Sequence, residues 1–279
     1  MRRFSCLSCL LAKSLVVAAL SMLVSCASLS PNGVGRIKRY NVEHEQLPPQ
    51  FDGYTVAFVS DIHYRSKFTQ KRLARLVRAL NEERACVLLL GGDYVTSEKY
   101  LEELFGSISE IAVQDGVYAV LGNHERRNGN AVAAAMEHAG ITLLADSVAV
   151  VERDGARLHI AGVRDSFSYD SAVVQPAETV ADSLFTILLC HTPDYAELSS
   201  TTADIALSGH THGGQVSLFG LYTPVRNSRY GTRFLRGLNT TTGGTVVITT
   251  NGVGTSRRKI RFWVPSEIVV VTLRRKAEK

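Results

Sequence analysis

The chain has 279 residues, of which 45% are hydrophobic; this is ample for one domain with a large core and somewhat short for two. The formal net charge is +5, but the first 25 residues contain three basic residues and no acidic one. The remainder carries 28 basic and 26 acidic residues, a net charge of only +2. This near-balance gives no support for specific nucleic-acid binding, and the ordinary composition excludes a disordered or fibrous chain.

Residues 1–25 have the pattern of a secretion signal. Basic residues precede the apolar run SLVVAALSMLV, which is short for a membrane span and ends at LVSCAS. A Leu three residues before Cys26, with Ser25 directly ahead of it, resembles the lipobox of bacterial lipoproteins. The resemblance implies cleavage before Cys26, diacylation of Cys26, and an exported protein anchored to a membrane of the cell envelope. The alternatives are an ordinary signal peptide and an uncleaved anchor.

Residues 26–50 are polar, contain a Pro-Pro pair and show no clear period. We therefore predict a tether over residues 26–50 and a single domain over residues 51–279. From residue 54 onward, short apolar runs rich in β-branched and aromatic residues predict buried strands. These runs are YTVAFVS, CVLLL, GVYAVL, FTILLC, ADIALS, GGTVVITT and EIVVVTL.

Amphipathic segments separate the first of these runs. FTQKRLARLVRAL has apolar residues at i, i+3, i+4 and i+7, which predicts a helix; SEKYLEELFGSIS and NAVAAAMEHAG have similar helical patterns. SVAVVERDGARLHIAGV predicts a hairpin that turns at Asp154 and Gly155. Strands that alternate with helices predict an α/β domain, and the hairpin predicts that its sheets are mixed.

Potential metal ligands follow five of the predicted strands. They are Asp61, His63, Asp93, Asn123, His124, His191, His210 and His212. Since ligands collect at the carboxyl ends of strands in α/β sheets, we expect these loops to converge. Imidazole suits Zn, Fe or Mn, and carboxylate suits Mn or Mg. The set is too large for one tetrahedral zinc, whereas two ions that share a bridging carboxylate would use all of it.

The blocks SDIHY, GGDYV, GNHER, LCHTPD and SGHTHGGQ resemble, in order and spacing, the signature of the calcineurin-like metallophosphoesterases. The resemblance covers about residues 54–273 and implies a four-layer α-β-β-α sandwich with two mixed sheets and a dinuclear metal site at the C-terminal ends of the strands. The tail GVGTSRRKIRFWVPSEIVVVTL resembles the bacterial exported branch that includes the YkuE and YaeI phosphoesterases. Two departures, Asn251 in place of a frequent Arg and the basic stretch 256–259, bear on how substrate phosphate is held.

The resemblance also implies a role for each candidate residue. One divalent ion (Mn, Fe or Zn) would be held by Asp61, His63 and His212, a second by Asn123, His191 and His210, and Asp93 would bridge them. His124 would face the leaving group as general acid or stabilise the phosphoryl oxygens.

The complete ligand set favours a hydrolase of phosphate esters, phosphodiesterase-like, in which the metals activate water. An alternative substrate is a lipid-linked pyrophosphate of the UDP-2,3-diacylglucosamine type. An alternative class is a non-catalytic, membrane-anchored binding lipoprotein. We expect a monomer that has no specific nucleic-acid partner and that contacts the membrane through its N-terminal lipid.

Other polar residues have simpler interpretations. Glu125 either hydrogen-bonds a ligand or is solvated, and Cys86 and Cys190 are expected to be core thiols rather than a disulfide. Two further sets are expected to lie outside the metal site. These are His44, His138 and His159, interpreted as surface or core residues, and Arg226, Arg229, Arg233 and Arg236, which either form a solvated face or bind an anionic substrate or membrane surface.

Overall fold

The computed structural model describes residues 34–164, 184–199, 203–256 and 260–276. The first of two sheets contains β1 (Arg36–His44), β2 (Thr55–Val59), β3 (Val87–Leu90), β4 (Val117–Ala119), β5 (Thr142–Leu143) and β12 (Glu267–Arg275). The second contains β6 (Ser147–Arg153), β7 (Ala156–Gly162), β8 (Thr186–Leu189), β9 (Ile205–Ser208), β10 (Gly237–Thr240) and β11 (Val246–Thr249). The strand orders are β1-β12-β2-β3-β4-β5 and β10-β11-β9-β8-β7-β6.

Both sheets are mixed, as the sequence predicted. Strands β2 to β5 are parallel and β12 runs antiparallel to β2. In the second sheet β7, β8, β9 and β11 are parallel, with β6 and β10 antiparallel at the edges. The predicted hairpin joins β6 to β7, where Asp154 and Gly155 both have positive φ, as a tight two-residue turn requires. The consequence of the parallel strands is that their carboxyl ends share one edge of each sheet.

Four helices complete the described fold: α1 (Gln70–Glu83), α2 (Leu101–Ile108), α3 (Gly129–His138) and the short α4 (Asp194–Leu198). Helix α1 begins where the Thr69 hydroxyl accepts the N–H of Arg72, which satisfies one of the free donors at the helix start. Its buried face contains Leu73, Leu76, Val77 and Leu80, the four positions that the spacing predicted.

Strand residues alternate between apolar layers. Val56 and Phe58 of β2 point between the sheets, towards residues such as Ile187 and Leu207 of the second sheet. The intervening residues of β2, β3 and β4 pack beneath α1, α2 and α3. On the outer face of the second sheet, Cys190 and its neighbours pack against α4 and the coil around Phe234. The layers are therefore helix, sheet, sheet and a thinner outer layer in which coil replaces much of the helix.

The structure corrects the predicted tether over residues 26–50. Arg36–His44 forms β1, which pairs in parallel along the whole of β12, from Arg36 with Glu267 to His44 with Arg275. The strand was missed because it lies at a sheet edge, where only Val42 is buried and no apolar alternation marks it. Residues 1–33, including the predicted signal and Cys26, lie outside the described residues. Within the described ranges, no helix has the length and apolarity that crossing a bilayer requires.

Candidate metal centre

The predicted ligands meet where β2, β3, β4, β8 and β9 end. One group, on the loops after β2, β3 and β9, places one ligand atom of each member within 4.8 Å of the others, and all its members are buried. This group consists of Asp61, His63, Asp93 and His212. The Nε2 atoms of His63 and His212 are 3.2 Å apart in stacked rings. Two imidazole nitrogens that face each other so closely need either a shared proton or a common cation.

A second group adjoins the first. Asn123 Oδ1 lies 2.9 Å from His210 Nδ1 and 3.2 Å from His191 Nε2. His191 Nδ1 donates to the Gly91 carbonyl at 2.6 Å, and this fixes the ring with Nε2 towards the centre. All seven predicted ligands are therefore in one place although they span about 150 residues of sequence.

Asp93 faces both groups. Its Oδ2 lies 3.5 Å from His63 Nε2, and its Oδ1 lies 3.5 Å from His191 Nε2. The two oxygens of one carboxylate thus point to different sets of ligands. This arrangement suits a carboxylate that bridges two ions.

The burial and the chemistry of these side chains fit a divalent cation. Asp61 Oδ1 is buried and has no hydrogen-bond partner among the described residues; it lies 3.2 Å from His212 Nε2. A buried carboxylate oxygen is costly unless positive charge compensates it. Carboxylate, imidazole and amide oxygen together form a donor set suited to Mn, Fe or Zn.

Buried charge gives the centre its electrostatic character. Burial opposes the charged form of Asp93, yet the imidazoles of His191, His63 and His124 hold its pKa well below its ordinary value. Burial also opposes a charged His191, but Asp93 and Asp61 raise the pKa of that imidazole to about 10. The carboxylates therefore attract positive charge into the centre, and the same field would favour a metal ion.

Burial lowers the pKa of His63 to about 4. Its imidazole is therefore neutral at physiological pH, which is the form that binds a metal.

The loops hold five of the seven ligands with positive φ, which is uncommon for residues other than glycine. These are Asp61 (56°), His63 (45°), Asp93 (58°), His210 (65°) and His212 (53°). Interloop bonds maintain this backbone: the N–H of Asp61 donates to Gly92 O at 2.9 Å, and that of His63 donates to Asp93 O at 3.0 Å. Backbone strain of this kind clusters at functional sites.

Glu125 stabilises the loops that carry the ligands by accepting hydrogen bonds from their backbone. Its side chain is 1% exposed, so the alternative of a solvated residue is wrong. Oε2 accepts the N–H groups of Asp93 at 2.8 Å and Gly122 at 2.9 Å, and Oε1 accepts the N–H of Tyr94 at 3.0 Å. Burial raises the pKa of Glu125 to about 7. One carboxylate therefore joins the loops after β3 and β4, and a side chain at Gly122 would collide with the Asp93 carboxylate.

His124 occupies a different position from the ligands. Its side chain is 46% exposed, and Nε2 lies 3.8 Å from Asp93 Oδ2. Together with His63 it lines a polar cleft of about 650 Å³, to which Arg127 also contributes. His124 can therefore contact a molecule in the cleft while remaining outside the four-residue group.

Sequence reasoning missed Arg261. This largely buried guanidinium donates to the carbonyls of Asn251 and Gly254, both at 2.6 Å, and lies 3.4 Å from His212 Nδ1. Burial lowers its pKa to about 10. It was missed because a single Arg in a strand-like tail gives no signal. Arg127, also missed, follows the GNHE block by two residues and could have been flagged by proximity alone.

The departure at Asn251 does not reach the cleft. Asn251 is buried, and its Nδ2 donates to Glu267 Oε2 at 3.1 Å. Of the basic stretch 256–259, only Ser256 is described; its N–H donates to Gln215 Oε1 at 2.8 Å.

The remaining residues lie where the simpler interpretations placed them. Cys86 and Cys190 are free thiols, and burial raises the pKa of Cys190 to about 12. His44 pairs with Asp204 at 3.2 Å. His138 and His159 also lie outside the centre. So do the four arginines between residues 226 and 236, of which Arg233 pairs with Glu197 at 3.0 Å.

Comparison with known proteins agrees with this geometry. The calcineurin-like phosphoesterase family matches residues 54–214. The metallophosphoesterase YkuE of Bacillus subtilis (strain 168) is 28% identical over 242 residues, which cover 84% of this chain and 84% of YkuE. Phosphodiesterase YaeI of Escherichia coli (strain K12) is 32% identical over 212 residues, which cover 72% of this chain and 75% of YaeI.

Among solved structures, NAD nucleotidase (NadN) of Haemophilus influenzae shares the fold. Its TM-score is 0.50 at 16% identity, with 72% of this chain and 45% of NadN covered.

The fold, the ligand loops and the family match define a metal-dependent hydrolase of phosphate esters. The chain belongs to the calcineurin-like phosphoesterase family. Its homologues include the metallophosphoesterase YkuE and the phosphodiesterase YaeI.

Proposed function

We propose that this protein is a phosphodiesterase-like hydrolase that uses two divalent ions. The observation that carries the proposal is the position of Asp93, whose two carboxylate oxygens face two different groups of ligands. A single-metal site would leave one of these groups without a role. The name of the homologue YaeI, a phosphodiesterase, supports the choice of substrate class.

The two groups divide the ligands between the ions. Asp61, His63 and His212 would hold one ion, Asn123, His191 and His210 would hold the other, and Asp93 would be shared. Divalent ions supply positive charge that lowers the pKa of water and neutralises phosphoryl oxygens. The protein supplies the buried, fixed geometry: Glu125 holds the Asp93 and Gly122 backbones, and the Gly91 carbonyl orients His191.

His124 is assigned the role of general acid, which donates a proton to the leaving alkoxide. It is the imidazole that reaches the cleft without belonging to the four-residue group, and a general acid must contact the substrate. Arg127, in the wall of the same cleft, provides positive charge for an anionic ester. The runner-up role for His124 is to hold the phosphoryl oxygens.

The test is hydrolysis of bis-(p-nitrophenyl) phosphate by the purified protein with added Mn²⁺, in parallel with a lipid-linked pyrophosphate of the UDP-2,3-diacylglucosamine type. His210→Ala should abolish activity, whereas His138→Ala, at a 71% exposed side chain away from the centre, should not. Turnover of the pyrophosphate alone would select the alternative substrate. A protein that binds two metals yet hydrolyses neither compound would be a binding lipoprotein, and the proposal would fail.

We propose also that the protein is exported and anchored through a lipid on Cys26. The support is the sequence alone: a basic start, an apolar run and LVSC, whose Cys26 would be the first residue of the mature chain. A diacylglyceryl group carries two acyl chains, which suffices for stable attachment to a bilayer.

A further inference from the structure

A cluster of exposed apolar side chains lies on the loop that follows the GHTH block. Five of the nine large hydrophobic residues that are exposed in the described chain belong to it. These five, which we call the apolar patch, are Leu218, Phe219, Leu221, Tyr222 and Val225. Leu221 is 91% exposed and Phe219 is 68% exposed. Single exposed apolar residues are ordinary on a protein surface, but a contiguous group of this kind marks an interaction surface.

The patch is built on strained backbone. Leu221 N donates to Leu218 O at 3.0 Å, and the two residues inside this turn, Phe219 and Gly220, have φ of 54° and 75°. Positive φ at both central positions is typical of a type I′ turn, which favours Asn-Gly. Trp263, whose ring centre is 5.6 Å from that of Phe219, also has positive φ. The fold thus holds two large aromatic residues in a backbone region that bulky side chains avoid.

The surroundings of the patch are basic. Between Asp204 and Glu267 the sequence has eight basic residues and no acidic one. Arg226 is exposed directly beside Val225, and Arg236 donates to the carbonyl of Gly220 at 3.1 Å. Exposed apolar side chains with arginines beside them are typical of a segment that inserts into the interface of an anionic bilayer.

The patch is rigidly joined to the metal centre. The N–H of Ser217 donates to Phe262 O, and that of Phe262 donates to Gln215 O, both at 2.9 Å. Gln215 follows His212 by three residues, and Ser256, bonded to Gln215, lines the cleft. A surface bound to the patch would therefore lie at a fixed position relative to the cleft.

The start of the described chain lies on the same side of the molecule. Arg36 N donates to Ser266 O at 2.8 Å, and Ser266 is three residues from Trp263. Val34 is the eighth residue after Cys26, and such a segment spans at most about 28 Å. A lipid on Cys26 would therefore hold the patch close to the bilayer, although contact by the patch does not depend on that lipid.

We infer that the apolar patch is a membrane-docking surface that inserts into a bilayer of anionic lipids and holds the catalytic cleft at its interface. The inference goes beyond the proposed hydrolysis and does not rest on it. The other candidate occupant is a second copy of this chain, which the apolar side chains would also accommodate. It is disfavoured because Arg226 and Arg236, which lie beside the patch, would approach like charges of the second copy.

The single tryptophan of the sequence, Trp263, makes a local test available. The full-length protein is added to vesicles of 70% phosphatidylcholine and 30% phosphatidylglycerol, with or without a doxyl quencher on the acyl chain near the headgroup. We expect quenching of Trp263 fluorescence by the labelled lipid, weakened by high salt and by omission of the anionic lipid. Because attachment through the N-terminus would also bring Trp263 near the bilayer, the contribution of the patch is the difference in quenching between wild type and a patch variant with the same N-terminus.

Phe219→Asn is the diagnostic variant, since the turn favours Asn and the fold should be retained or stabilised. Binding to the vesicles through the patch, measured by quenching, should fall roughly 10- to 100-fold, the effect of removing one inserted Phe. Val150→Asn is the matched control, at a 46% exposed valine of β6, and should leave quenching unchanged. Absence of quenching in wild type, or equal quenching in Phe219→Asn, would overturn the inference. A dimer in sedimentation that Phe219→Asn dissociates, without quenching by lipid, would assign the patch to a second copy instead.

Discussion

The Glu125 carboxylate accepts the backbone N–H of Asp93 at 2.8 Å. The same carboxylate accepts two further N–H groups from the loops after β3 and β4. It therefore fixes the backbone of Asp93, the residue whose side chain faces both groups of ligands. The position of the Asp93 carboxylate thus depends on a residue that lies outside both groups of ligands.

Glu125→Gln should separate this supporting role from ligation. Glutamine has one acceptor oxygen where glutamate has two, so at least one buried N–H loses its partner, at a cost of about 1–3 kcal/mol in stability. Loss of an outer partner of a ligand typically weakens metal affinity by about 10- to 100-fold. The measurements are thermal unfolding and Mn²⁺ titration, with Glu137→Gln on the exposed face of α3 as control. Unchanged affinity in Glu125→Gln would show that the loops hold their positions without it.

Asp93→Asn tests the bridge. An amide has one oxygen, which can face one group of ligands but not both, so we expect the metal content to fall from about two ions per chain to one or fewer. Elemental analysis after equilibrium dialysis measures this. The control is Asp154→Asn, in a hairpin turn with positive φ, where Asn is well tolerated. Two ions retained in Asp93→Asn would contradict the bridging role.

Cys26→Ser tests the lipid anchor. The serine variant has no sulfur to carry the diacylglyceryl group, so we expect it to accumulate as a larger, unlipidated precursor. Mass spectrometry and detergent partitioning compare it with wild type, and Cys190→Ser, at a buried thiol in the core, serves as control. If wild type and Cys26→Ser both have the unprocessed mass and the same detergent partitioning, Cys26 is not lipidated. The hydrolase assignment would still stand.

The sequence predicted the parts of this fold whose chemistry is local. The α1 face, the hairpin at Asp154 and the buried strands each have their own periodicity or turn residues. Five ligand blocks that follow five strands could be placed together because parallel strands end at one edge of a sheet. The strand β1 could not be predicted, since its stability comes from pairing with β12 across more than 200 residues rather than from its own pattern.

Two features of the site were also beyond the sequence. Burial of Glu125 and the approach of Arg261 to His212 arise from tertiary packing. The spacing of residues along the chain gives no measure of either.

His124→Ala distinguishes chemistry from metal binding. The side chain reaches the cleft but lies outside the four-residue group, so the variant should keep both metals. Turnover should fall by about 10²–10⁴-fold, the usual contribution of a general acid. The loss should be smaller with a nitrophenyl ester than with an alkyl diester, because nitrophenolate leaves without protonation.

His212→Ala is the comparison, since its Nε2 lies 3.2 Å from both His63 Nε2 and Asp61 Oδ1. Removing that imidazole should lower metal content and activity together, whatever the leaving group. Metal content and turnover of both variants are measured on one activated and one alkyl diester. Loss of metal from His124→Ala would place His124 among the ligands. An equal defect on both esters, with metals retained, would mean that His124 stabilises the phosphoryl oxygens, because that interaction does not depend on how readily the alcohol departs.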